Sequence, residues 1–75
     1  MSTFTFTQNT RAEDLDRFIA DSELDLTVEY EFVENSIGEE LCDIYHVREQ
    51  IVLAALRFGQ SISSEELTTL ALKYE

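Results

Sequence analysis

The chain has 75 residues, of which 16 are acidic and 5 are basic, so its formal charge at neutral pH is −11. A chain this short forms one domain, and it is too small for a dinucleotide-binding fold or a (β/α)₈ barrel. Apolar residues make up 44% of the sequence, too many for a disordered acidic tail. We therefore expect a single compact acidic domain over residues 1–75.

The sequence also indicates where the protein is located. Its single cysteine cannot form an internal disulfide, and the chain does not open with a cationic, apolar signal segment. The longest apolar run, Ile51–Leu56, is far shorter than the ~20 residues that span a bilayer. These features predict a soluble protein of the cytoplasm (the host cytoplasm, if the protein is viral) with no membrane partner.

The first two predicted elements are a strand and a helix. Residues Thr3–Thr7 alternate strictly, which predicts a short strand with both phenylalanines facing inward. Thr10 precedes Glu13 by three residues, the spacing of a capping box, so a helix is expected over residues 11–21. The helix would bury three residues at helical spacing: Leu15, Phe18 and Ile19.

A second strand is predicted over Leu24–Glu34, where apolar and polar residues alternate. The face predicted to be buried carries Leu24, Leu26, Val28, Tyr30 and Phe32. The face predicted to be exposed carries Asp25, Thr27, Glu29 and Glu31. The strand is therefore expected to present an acidic outer face.

Residues 35–58 allow two interpretations. Ser36 and Glu39 have capping-box spacing, and apolar residues keep helical phase from Ile37 to about Phe58, so we favour a helix there. In the alternative, residues 35–38 form a hairpin turn, residues 40–47 a third strand, and a helix begins near Arg48. A third strand would stabilise a sheet that is marginal with two.

The last helix has the clearest start. Ser63 and Glu66 form a capping box, Ile62 and Leu67 occupy the hydrophobic-staple positions, and the helix is expected to run to about residue 73. Gly59 is placed to end the preceding helix. The predicted fold is α+β, with an antiparallel sheet of two or three strands packed against two or three helices, in the order β-α-β-(β)-α-α.

Cys42 and His46 are candidates for a metal-binding or nucleophile pair, with Glu39 and Asp43 nearby. A structural zinc site needs four ligands, mainly Cys and His, and the chain has one of each. The surrounding carboxylates also disfavour a reactive thiolate. We expect a buried Cys42, a partly exposed His46, and neither metal, cofactor nor catalytic residues, so the protein is not expected to be an enzyme.

The most specific functional feature is the position of the negative charge. Residues 13–49 carry the whole net charge, which repels nucleic acid and attracts basic protein surfaces. Carboxylates on one strand face lie about 6.6–6.8 Å apart, in a row that could occupy a groove built for a phosphate backbone. The candidate partner-binding residues are Asp21, Asp25, Glu29, Glu31 and Glu34, followed by Glu13, Asp14, Asp16, Glu39, Glu40 and Asp43.

In size and composition, and in a strand-like opening over residues 1–6, the whole chain resembles the small anti-defence proteins of bacterial viruses. Anti-CRISPR inhibitors and DNA mimics belong to that group. The resemblance implies a non-enzymatic inhibitor that binds the basic, nucleic-acid-binding surface of a bacterial defence complex and does not itself bind nucleic acid.

A second hypothesis concerns the apolar helix expected around residues 51–58. A helix that is apolar on every side needs a cover. The sheet and the last helix can supply it within one chain, and the alternative is that a second copy or another protein does. The domain would then be an assembly module, and its acidity would only keep it soluble. The interface residues in this alternative are Ile51, Leu53, Leu56 and Phe58.

Overall fold

A computed structural model describes residues 2–75, so Met1 of the predicted domain lies outside the described residues. The elements are β1 (Thr3–Thr5), α1 (Ala12–Asp21), β2 (Val28–Glu34), β3 (Glu40–His46), β4 (Val52–Arg57), β5 (Ser61–Ser63) and α2 (Ser64–Leu72). Strands β2, β3 and β4 form one antiparallel sheet, and β1 pairs with β5 in a second. The predicted α+β class, with an antiparallel sheet and helices packed against it, is confirmed.

The helix favoured over residues 37–58 is wrong, because the chain reverses at residues 35–38. The side-chain oxygen of Asn35 accepts the backbone N–H groups of Ile37 (3.1 Å) and Glu39 (2.9 Å). Gly38 has φ +80°, a conformation that glycine adopts at no steric cost. The alternative interpretation is therefore confirmed on two points: residues 35–38 form a hairpin turn between β2 and β3, and β3 is the predicted third strand.

The alternative was nevertheless wrong about a helix near Arg48. Gln50 lies at φ +57° and donates its N–H to the carbonyl of His46 (2.8 Å), so the chain turns back into β4. The extra residue Leu53 forms a bulge between the β4 partners of Ile44 and Tyr45. Gly59 ends no helix and lies in the turn between β4 and β5, at φ +90°.

The second predicted strand begins four residues late, at Val28. Glu23 is left-handed at φ +60°, and the N–H of Thr27 donates to the carbonyl of Leu24 (2.8 Å), which makes this segment a turn. Leu24 is buried as predicted, but Leu26 is 91% exposed and not inward-facing.

The helix caps were predicted with mixed success. At α1 the Thr10 hydroxyl accepts the N–H of Thr7 (2.8 Å), and Asp14 accepts the N–H of Arg11 (2.9 Å), so the predicted capping box is wrong by one residue. At α2 the Ser63 hydroxyl accepts the N–H of Glu66 (3.1 Å), as predicted. Strand β5, which pairs with β1, was not predicted.

Both helices pack on the same face of the three-stranded sheet. The Tyr30 hydroxyl on β2 donates to α1, at the carbonyl of Ala12 (3.2 Å) and at Asp16 (2.8 Å), and α2 lies against β4 and β5. None of the helices in residues 2–75 has the length and apolar character to cross a membrane. The buried core between the layers comprises Phe4, Phe6, Leu15, Phe18, Ile19, Leu24, Val28, Cys42, Ile44, Leu56, Ile62, Leu67 and Ala71.

Candidate protein-binding face

The other face of the three-stranded sheet is left uncovered by the described residues. Because side chains alternate along each strand, every second residue of β2, β3 and β4 points away from the helices. The strand register places these side chains in three rows of three, and none of them is buried. We call them the open face: Glu29, Tyr45 and Val52; Glu31, Asp43 and Ala55; Val33, Leu41 and Arg57.

Two carboxylates oppose each other at the centre of the open face. Glu31 on β2 pairs in register with Asp43 on β3, which places their Cβ atoms about 4.5–5.5 Å apart. Asp43 is half-buried, and its Oδ1 is shielded from solvent and accepts no hydrogen bond from the described residues. Burial, and secondly the charge of Glu31, raise the pKa of Asp43. Like charges in this position destabilise a sheet, so this pair lowers the stability of the folded protein.

Basic side chains do not neutralise this pair, because those that form ion pairs contact other acids. Arg57 stands on the open face but its Nε contacts Glu39 at 2.7 Å. The hydrogen bond from Arg57 lowers the pKa of Glu39, and the same contact raises the pKa of Arg57. Arg48 contacts Glu49 (3.7 Å) and Glu75 (3.4 Å). Glu29, Glu31 and Asp43 therefore leave the open face negative.

The structure disperses the remaining predicted acids. Those of α1 belong to the helix layer, and two of them serve the fold: Asp14 caps α1 and Asp16 accepts the Tyr30 hydroxyl. That hydrogen bond and burial raise the pKa of Tyr30 to about 12. The acids away from the open face are Glu13, Asp14, Asp16 and Asp21 on α1, Asp25 in the following turn, and Glu34, Glu39 and Glu40 at the β2–β3 hairpin.

Sequence reasoning missed the apolar part of the open face. Tyr45, Leu41 and Val33 are half-buried there, and Val52 is 50% exposed. One signal was present: in residues 41–47 neither alternate set is cleanly apolar, which fits a strand whose two faces are both partly apolar. The mixture of carboxylates with an aromatic and aliphatic side chains is typical of protein-binding surfaces.

Cys42 and His46 lie on the helix-facing side of β3, four residues apart, which separates their Cα atoms by about 13 Å. Cys42 is fully buried as predicted, and burial raises the pKa of its thiol to about 12. His46 is buried, not partly exposed, and its Nδ1 accepts the N–H of Glu49 (3.2 Å). Within residues 2–75, no group of three potential metal ligands comes together.

The residues of the alternative oligomer interface lie on or beside a strand and not on a helix. Leu56 is buried, and Leu53 is partly buried against the core, so both side chains belong to the domain interior. Ile51 and Phe58 are exposed at the two ends of β4. A homodimer through these two exposed residues stays a prediction.

The chain matches no protein-family model, no curated protein and no solved structure. Fold and site together define a small α+β domain that covers one face of its sheet with two helices and leaves the other face exposed and acidic.

Proposed function

We propose that this protein is a non-enzymatic inhibitor that binds a basic, nucleic-acid-binding protein surface through its open face. The observation that carries the proposal is the cross-strand pair Glu31–Asp43, two carboxylates held together on an uncovered sheet face without a cation among the described residues. A bacterial defence complex is the target class implied by the resemblance to phage anti-defence proteins.

A basic side chain from a partner would reverse the energetics of this pair. An arginine or lysine placed between Glu31 and Asp43 would add two attractions, which together outweigh the one repulsion between the carboxylates. It would also donate charge-assisted hydrogen bonds to the accessible carboxylate oxygens of the pair. Exclusion of water by the partner would strengthen these contacts, because Coulomb interactions grow as the local dielectric falls.

The rest of the molecule fits this mode of binding. A net charge of −11 steers the domain toward basic surfaces and raises the association rate, while repelling nucleic acid. Tyr45, Leu41 and Val52 surround the carboxylates with apolar area that can exclude water at the centre of an interface. Glu29 continues the charged row along β2, about 6.6–6.8 Å from Glu31.

The test begins with capture of a partner and ends with measured affinities. Tagged protein is exposed to nuclease-treated bacterial lysate, washed at about 0.1 M salt and eluted at about 1 M, where the Debye length has fallen to about 3 Å. The identified partner is then titrated with the wild type and with the charge-reversed variant Glu29→Lys with Glu31→Lys. We expect this variant to bind at least about tenfold more weakly.

The matched control reverses two exposed acids that lie away from the open face. Glu23→Lys with Glu65→Lys makes the same change in net charge. Glu23 follows the end of α1, and Glu65 lies in the first turn of α2. We expect it to lose much less affinity than the open-face variant. Equal losses would indicate that only total charge matters, and unchanged affinity in the open-face variant would eliminate this face as the binding site.

Self-association is the second candidate function, favoured by the exposed side chains of Ile51 and Phe58. The affinity of self-association should change with salt in the opposite direction from the affinity for a basic partner. Two copies with a charge of −11 each repel one another, so added salt should strengthen a dimer, whereas it should weaken binding to a basic partner. Sedimentation equilibrium at low and high salt separates the two candidates.

A further inference from the structure

A second feature of the surface is an aromatic groove between the segment after β1 and the end of the β2–β3 hairpin. Phe6 forms its base, with ring centroids 6.0 Å from Phe32 and 5.0 Å from Phe58. Phe32 and Phe58 are each 46% exposed. The groove has a volume of about 320 Å³, at the lower end of the range for ligand sites.

The walls of the groove are fixed by the backbone. Phe6 donates its N–H to the carbonyl of Gln60 (3.0 Å) and accepts the N–H of Gly59 (2.7 Å), so Phe6 is tied to the turn that carries Phe58. On the other side of the groove, the turn at residues 7–10 is stabilised by a hydrogen bond that the N–H of Thr7 donates to the Thr10 hydroxyl (2.8 Å). A preformed groove binds without the entropic cost of ordering loops.

The charges on this groove are negative. Glu34 and Glu40 line it and face each other across β2 and β3 in register. They form a second like-charged cross-strand pair, which destabilises the sheet as the Glu31–Asp43 pair does. Among the described residues, no arginine or lysine lines the groove or pairs with either carboxylate.

We propose that this groove binds an arginine side chain of a basic protein partner. The planar guanidinium would stack on the exposed faces of Phe32 and Phe58 and donate to Glu34 and Glu40 at once. Lysine lacks both the plane and the forked donors, so the groove should prefer arginine.

The inference rests on the proposed function in expecting a basic partner. The four side chains that it uses for arginine lie outside the open face, although Val33 and Leu41 line the groove and also belong to that face. A second copy of the chain is disfavoured in this groove, because two chains that each carry a charge of −11 repel one another.

The test compares two peptides of equal charge, nona-arginine and nona-lysine, titrated into the isotope-labelled full-length chain at about 0.1 M salt. Stacking at exposed aromatic rings is worth a preference of about two- to fivefold, so nona-arginine should bind tighter by that factor. The amide resonances of Glu34, Glu40 and Gly59 should shift more with nona-arginine than with nona-lysine.

Three variants test which residues cause the preference for nona-arginine over nona-lysine. Phe58→Leu should reduce the preference for nona-arginine by removing one of the two stacking faces. Glu34→Gln with Glu40→Gln should weaken nona-arginine more than nona-lysine, and it should keep the fold because it relieves a repulsion. The open-face variant Glu29→Gln with Glu31→Gln makes the same charge change and should weaken both peptides equally, so that the preference for arginine persists.

The outcomes separate the two proposals. Equal affinities for both peptides, or an arginine preference that is undiminished in Phe58→Leu and in the glutamine pair of the groove, would overturn the groove proposal and leave the open face standing. Full affinity in the open-face variant, with the preference reduced in the groove variants, would overturn the open face and support the groove. Failure of both peptides to bind would overturn the groove, and partner affinities would then decide the open face.

Discussion

Asp43→Asn should stabilise the folded protein at neutral pH, although it changes a half-buried residue in the middle of a sheet. The substitution keeps the shape of the side chain and removes the negative charge opposite Glu31. A like-charged cross-strand pair costs about 0.2–1 kcal/mol. For a domain of this size, the gain corresponds to a rise in Tm of about 1–8 °C.

The gain should depend on pH, and its sign follows from the pKa of Asp43. Burial and Glu31 raise this pKa in the folded state, so the folded protein holds the proton more tightly than the unfolded chain. Wild-type stability therefore falls as pH rises from about 3.9, the ordinary aspartate value, to the raised pKa. Above that window the penalty is complete, and below it the advantage of Asp43→Asn disappears.

Urea unfolding followed by circular dichroism, at pH values on both sides of this window, measures the effect. Asp25→Asn is the matched control, because Asp25 is exposed in the turn before β2 and loses the same charge. It should shift stability by less than Asp43→Asn. A loss of stability in Asp43→Asn at neutral pH, or a gain that stays constant down to acidic pH, would refute the reasoning.

Three further predictions test the fold. Leu67→Ala removes a fully buried side chain of α2 and should lower the free energy of unfolding by about 2–5 kcal/mol in urea titrations. Ser63→Ala should cost about 0.5–2 kcal/mol in the same assay because the cap to the N–H of Glu66 is lost, whereas Ser63→Gly should cost only a few tenths. In an ultraviolet titration, Tyr30 should ionise near pH 12, and Asp16→Asn, which removes the acceptor's charge, should lower that pKa toward 10.

The parts of the fold that local patterns determine were predictable. The start of α2 depends on Ser63 and Glu66, three residues apart, and the stripe of α1 repeats at helical spacing. The helix predicted over residues 37–58 was wrong because Ile44, Val47 and Ile51 also lie at helical spacing. The strands β3 and β4 in this segment are held by hydrogen bonds to strands that are distant in sequence, which a local pattern does not show. The bulge at Leu53 further disturbs the alternation by which a strand is recognised.

The candidate site was predictable to a similar extent. Alternation along β2 places Glu29 and Glu31 on one exposed face without knowledge of the partner strand. The pairing of Glu31 with Asp43 depends on the β2–β3 register, which the turn at residues 35–38 sets. The aromatic groove unites Phe6, Phe32 and Phe58, and only the tertiary fold brings residues so far apart in sequence into contact.

The most direct test of the central claim compares stability and partner affinity in one variant, Glu31→Gln with Asp43→Asn. If the two carboxylates are held together for a partner's basic side chain, the variant should unfold at higher urea than the wild type. It should also bind the captured partner at least about tenfold more weakly at about 0.1 M salt. A variant that is more stable and binds with unchanged affinity would contradict the assignment of the open face.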